Sequence, residues 1–104
     1  MTEAIALALA AYAALTGATA LTEHEVRQTA LWVSGSESWA DEATEVSFCE
    51  SSWRTDAVGA LGEWGLLQIH PIHQLPRVRG AEAQLRQAYG LWQRDGWGAW
   101  SCKP

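Results

Sequence analysis

Basic residues are scarce in this chain. Seven lysines and arginines stand against twelve acids in 104 residues, a formal net charge of -5, and Arg27 is the one base among residues 1 to 49. No stripe of bases is present to neutralise phosphates, which argues against nucleic acid as a partner. Residues 50 to 104 hold five acids and six bases, so the second half is nearly neutral. Cysteine is limited to Cys49 and Cys102. They permit one intramolecular bridge, which would tie the C-terminal tail to the segment around Glu50; two reduced thiols of a cytosolic protein are the other reading, and spacing alone does not choose. A zinc centre is disfavoured, because His70 and His73 have no further His or Cys at ligand spacing and Pro71 spoils a helical pair. Those imidazoles are expected in a cleft or on a loop surface, and no metal or cofactor is expected. No repeat or low-complexity linker divides the chain, whose length suits one core.

What is present is helical. The segment from Ala4 to Leu21 is uncharged and rich in Ala and Leu. It reads as a helix capped by Thr2 and ended by Gly17. It also reads as a signal peptide with the small-residue pattern Ala18-Thr19-Ala20, although Glu3 stands where a basic residue belongs. A membrane span would be at the short limit, since alanine adds little hydrophobicity. Residues 1–21 are therefore set apart as an Ala-rich N-terminal helix, signal or anchor, and residues 22–104 as the main domain.

Thr22 with Glu25 forms a capping box for a helix to about Val33, broken by Ser34-Gly35-Ser36. Ser38 with Asp41 resembles a second box, after which Trp39, Ala43, Val46 and Glu50 fall on one stripe of a 3.6-residue helix. Residues 57–69 are an irregular turn or small hairpin, since Gly59, Gly62 and Gly65 leave no period of two. Pro71 and Pro76 should keep the following loop extended. Leu85, Ala88, Tyr89 and Trp92 mark one face of a helix from about Ala81 to Arg94, stopped by Gly96. The expected fold class is mainly α, with a short irregular β-hairpin or turn region. Seven tryptophans supply much of its apolar area.

Glu50 is the residue with chemical promise. A carboxyl group sharing the apolar face of a helix is desolvated, and desolvation favours the neutral, proton-donating form. A merely solvated helix end is the plainer reading. The run Glu50-Ser51-Ser52-Trp53-Arg54-Thr55-Asp56-Ala57, with Gly62, Gly65, Leu66, Gln68 and Ile69 beyond it, resembles without a gap the signature of the soluble lytic transglycosylase and goose-type lysozyme superfamily. The ending Gly96-Trp97-Gly98-Ala99-Trp100-Ser101-Cys102 is similar to that of small phage and actinobacterial members. The sequence departs from the pattern at Gly59, where serine is usual, at Thr55, where proline is frequent, and at the start of the late helix, which lacks an asparagine.

The resemblance implies a lysozyme-like domain in which Glu50 is the catalytic acid and Gln68 supplies an amide that contacts substrate. The activity implied is cleavage of the β-1,4 bond between N-acetylmuramic acid and N-acetylglucosamine in peptidoglycan, by lytic transglycosylation or hydrolysis. Further candidates for substrate contact are Ser51, Glu63, Trp64 and Tyr89. Trp64, Trp97 and Trp100 offer flat faces for sugar rings, yet a small core could need all of them, as it could need Tyr89 and Trp92. Hydrolysis by a carboxylate pair would require a second acid, for which Asp56 and Glu63 are nearest. With one acid, Glu50 would both donate and recover the proton. The partner implied is the glycan strand, met by a monomer in the cell envelope or outside the cell, as a phage-encoded endolysin or virion-associated enzyme. A catalytically weak glycan-binding or virion structural module of the same fold is the alternative.

Overall fold

The computed structural model describes residues 18–104. Among the described residues three α-helices carry the architecture: α1 (Glu23–Ser34), α2 (Glu37–Ser51) and α3 (Ala81–Asp95), with 3-10 turns at Pro71–His73 and Gly96–Ala99. Among the described residues β pairing is confined to single bridges, Ala20 with Arg54, Val58 with Trp64 and Trp64 with Ile69. The mainly α fold class read from the sequence is the one observed.

The helix ends follow from local chemistry. At α1 the capping box forms as expected: Thr22 N–H donates to Glu25 Oε1 at 2.9 Å, and Glu25 N–H donates to Thr22 Oγ1 at 3.1 Å. Gly35 closes α1 in the left-handed region, φ 67°, and donates to Leu31 O. That turn feeds the chain directly into α2, so the cap falls to Ser36, whose Oγ accepts from Trp39 N–H at 3.2 Å. The box expected from Ser38 and Asp41 is therefore not formed. Asp41 is left free to accept from Arg27 Nε of α1, at 2.9 Å.

A second correction concerns the loop after Ile69, which is not extended throughout. Proline suits the first position of a helical turn. Pro71 opens a 3-10 turn in which His70 Nδ1 accepts from Ile72 N–H at 3.0 Å. The chain from Gln74 to Arg79 then has no regular structure.

The readings of Ala4–Leu21 as helix, signal or span fall largely outside the described residues. Where the segment is described, it is extended: Leu21 N–H donates to Trp53 O at 3.0 Å, and Thr55 N–H to Thr19 O at 2.8 Å. Residues 18–21 thus pair with the chain just after α2, across the boundary drawn at residue 21. Among the described residues no helix is long and apolar enough to cross a membrane.

The core lies where the three helices and the glycine-rich loop meet. Val26 and Ala30 of α1, Trp39, Ala43 and Val46 of α2, and Leu85 and Ala88 of α3 close over Leu66 and Leu67. Trp39 is 1 % exposed, with Tyr89 edge-on at 4.9 Å and Trp97 stacked at 6.0 Å. Each such aromatic pair adds about 1 kcal/mol beyond the area it buries.

Among the described residues five polar side chains are buried with this core, Gln28, Thr29, Thr44, Ser47 and Gln84, and the last of them ties α3 to the loops. Gln84 of α3, 3 % exposed, accepts from Leu66 N–H at 2.9 Å and donates to Thr55 O at 2.9 Å and Val78 O at 3.0 Å. A single amide thus joins α3 to three stretches of loop. Gln84→Leu fills the space but orphans one donor and two acceptors, each costing about 1–3 kcal/mol when buried. Urea denaturation should show a loss of about 3 kcal/mol, and a loss below about 1 kcal/mol would mean that water replaces the amide.

Candidate functional site

Glu50 occupies the last turn of α2, where Trp39, Ala43 and Val46 below it are buried and Glu50 itself is half-buried. Its Oε2 accepts from Cys102 N–H at 3.1 Å. That donor is held in place covalently, because Cys102 is bridged to Cys49, the residue before Glu50, with 6.1 Å between their Cα atoms. Of the two readings of the cysteines, the disulfide is the one the structure contains.

The tail that brings Cys102 to the acid is pinned by its tryptophans. Trp97 Nε1 donates to Glu42 Oε1 of α2 at 2.7 Å, and Trp100 Nε1 to Leu67 O at 2.8 Å. Trp100 is 5 % exposed and packs its ring edge-on against Trp97. Trp100 therefore serves the core, and Trp97 is half-buried between α2 and α3.

Ser51 stitches α2 to the glycine-rich loop. Its hydroxyl lies 2.8 Å from Leu66 O and 3.1 Å from Ser47 O, and it accepts from Arg54 N–H at 3.2 Å. With those partners it positions the loop beside Glu50. Immediately beyond, Ser52 and Trp53 both take the left-handed conformation, φ 54° and 61°. Such residues cost about 1 kcal/mol or more each and persist only where the surroundings enforce them. Here Ser52 N–H is held by Phe48 O, and Trp53 Nε1 by Thr44 O at 3.0 Å. The chain reverses sharply just after the acid, which leaves Glu50 at the edge of a fixed corner.

Gln68 and Glu63 form a separate cluster around Gly59. Gln68, itself left-handed with φ 50°, donates from Nε2 to Ala57 O at 3.1 Å and to Gly65 O at 3.0 Å. A Cβ on Gly59 would come within 2.6 Å of Gln68 Oε1 and 2.8 Å of Glu63 Oε1, so these two heads fill the space that a serine there would claim. The Glu63 carboxyl is held below its ordinary value of 4.5, first by its own backbone N–H, then by that of Leu61, with the His70 charge adding to them and desolvation opposing. Glu63 thus remains a carboxylate through the neutral range. It is unsuited to donate a proton.

Since the Gln68 amide spans the loop, Gln68→Ala should lower stability by about 1–2 kcal/mol for the hydrogen bonds lost. A thermal scan decides the matter. An unchanged melting temperature with weakened substrate binding would make Gln68 a substrate contact and not a brace.

Trp64 and Tyr89 have other partners. Trp64 is 6 % exposed, and the Arg77 guanidinium sits 5.6 Å over its ring. Tyr89 belongs to the aromatic cluster, stacked on Trp92 at 5.9 Å and edge-on to Trp39. Asp56 pairs with Arg54 at 3.1 Å at the surface. The structure therefore brings together Glu50, Ser51 and the Cys102 amide; Gln68 and Glu63 form a second group, and among the described residues no hydrogen bond links Tyr89 or Trp64 to either.

Two features have no counterpart in the sequence reading. The Cys102 N–H beside Glu50 is a backbone group and leaves no trace in residue type. Gln84 did leave one: it interrupts the apolar face Ala81, Leu85, Ala88 and Leu91 at a core position, where an uncharged amide calls for backbone partners. Set against known protein families, characterised proteins and solved structures, the chain matches none of them.

Proposed function

We propose that this protein cleaves peptidoglycan glycan strands between N-acetylmuramic acid and N-acetylglucosamine, with Glu50 as general acid and then base. The observation that carries the proposal is the setting of Glu50: a half-buried carboxyl on the last turn of α2, with one oxygen on the Cys102 amide, next to a chain reversal held by hydrogen bonds to Phe48 O and Thr44 O. A catalytic acid must be held in one geometry by packing and hydrogen bonds, and this one is. The resemblance of residues 50–69 to the lytic transglycosylase and lysozyme signature supports the same role.

The arrangement favours a one-acid route. The Glu63 carboxylate accepts from Leu61 N–H within its own loop, and Asp56 is engaged by Arg54, so neither is hydrogen-bonded towards Glu50. In the proposed step Glu50 gives its proton to the glycosidic oxygen, and the C1–O bond breaks towards an oxocarbenium-like centre on the muramic sugar. The C6 hydroxyl of that sugar then attacks C1 and yields its proton to the Glu50 carboxylate. A 1,6-anhydro ring closes, no water is consumed, and the acid is regenerated. A disulfide suits an oxidising compartment, in keeping with action at or outside the cell envelope.

Mass spectrometry of fragments released from purified cell walls is the test. Anhydro-muropeptides, one water lighter than hydrolysed ones, are expected. Reducing-end products would replace the ring closure by hydrolysis, and walls left intact would overturn the catalytic reading.

A further inference from the structure

A groove of about 670 Å³ opens on the loop side, its lining including Thr55, Asp56, Trp64, Arg77, Arg79 and Gly80. Glu50, Ser51, Gln68 and Tyr89 do not line it. Its charge is unusual for this chain. Arg27, Arg54, Arg86 and Arg94 each pair with a carboxylate, whereas Arg77 and Arg79 have no carboxylate partner among the described residues. Both unpaired arginines lie in the same groove. Its one acid, Asp56, is neutralised by a two-pronged pair, Arg54 Nε and Nη2 to Asp56 Oδ1 and Oδ2, both at 3.1 Å.

Three further features bear on the ligand. Gly80, in the lining, caps α3 without any side-chain hydrogen bond, which leaves the first N–H groups of a 15-residue helix uncapped at this end, with Glu82 of the first turn, itself paired with Arg86, offsetting part of the positive dipole. Arg77 is braced, with Nη2 on Gly62 O at 3.1 Å and its guanidinium over Trp64, which spares it much of the ordering cost of binding. The Trp64 Nε1–H is buried without an acceptor among the described residues.

We propose that this groove binds the carboxylates of an acidic peptide. Guanidinium groups match the two oxygens of a carboxylate, and a protein carrying a net charge of -5 offers few other surfaces where an anion would settle. The volume is that of a site for a ligand of several residues and exceeds what a single inorganic anion fills. Resting on the peptidoglycan reading, the peptide is the carboxylate-bearing stem that hangs from each muramic sugar, and the groove would register the strand while Glu50 acts on the glycan.

The test uses the full chain and a fluorescently labelled tetrapeptide with two free carboxylates and no sugar. Anisotropy should show saturable binding that weakens with added salt. Arg79→Gln, which alters an exposed side chain with no hydrogen bond among the described residues, should weaken it about tenfold, as expected for one charge-assisted pair; Arg77→Gln with Arg79→Gln should abolish it. The same peptide with both carboxylates amidated should not bind. Equal binding by wild type and both variants, or by the amidated peptide, would overturn the proposal. Displacement by inorganic phosphate at the peptide's own concentration would overturn it in favour of a phosphate site. Arginine-dependent peptide binding by a protein that leaves cell walls intact would sustain the groove and sink the catalytic reading. Cut walls without such binding would do the reverse.

Discussion

Glu50→Gln should lower turnover on purified cell walls by about two to four orders of magnitude while the fold persists. The amide keeps the volume of the carboxyl and can still accept from Cys102 N–H through its carbonyl oxygen. It can neither give up a proton nor take one back. Because the group is half-buried and not part of the core, the melting temperature should move little. Activity within tenfold of the parent would remove Glu50 from the mechanism. Glu63→Gln is the companion measurement: its carboxylate accepts from Leu61 N–H at 2.8 Å and serves the loop, so its loss should cost far less turnover. An equally severe loss there would indicate a hydrolytic carboxylate pair.

Reduction of the Cys49–Cys102 bridge is expected to be the largest single change in stability. The bridge closes a sequence separation of 53 residues, and in the chain-entropy model removing it costs about 4 kcal/mol. Cys49 is exposed, so reductant reaches the bond without prior unfolding. Activity should fall at reductant levels that leave the helices folded, because release of Cys102 takes the amide donor away from Glu50. Circular dichroism followed alongside turnover distinguishes this from global unfolding. Full activity in the fully reduced protein would show that the tail does not serve the acid, and two reactive thiols per chain in the unreduced, unfolded protein would show that the bridge does not form.

Legibility in the sequence followed the range of the interactions. Capping is local, so Thr22 with Glu25 predicts the start of α1, and Gly96 predicts the end of α3, from residues only a few positions apart. The misplaced start of α2 shows the limit of such patterns. Ser36 and Ser38 are both suited to a cap, and what selects Ser36 is the left-handed turn at Gly35, a backbone property. Longer range left weaker traces. That Glu50 shares a face with Trp39, Ala43 and Val46 was visible in the spacing, but the donor to its carboxyl comes from a backbone group 52 residues away. That Gln68 and Glu63 bond within their own loop and not to Glu50, and that both arginines without a carboxylate partner among the described residues collect in one groove, depend on how an irregular loop folds back, for which residue order carries little periodic signal.

The amide of Gln84 also constrains what evolution or design can write elsewhere. A Cβ on Gly65, whose φ is 78°, would lie 2.6 to 3.0 Å from all of the head atoms of Gln84. Positions 65 and 84 are therefore a coupled pair: a side chain at 65 is compatible only with a shorter residue at 84 and would still bear the strain of a positive φ. Related chains, when aligned, should vary at these two sites together or at neither, and a double-mutant cycle over them should be far from additive. The glycine and the glutamine are in effect one structural word spelled with two letters 19 residues apart.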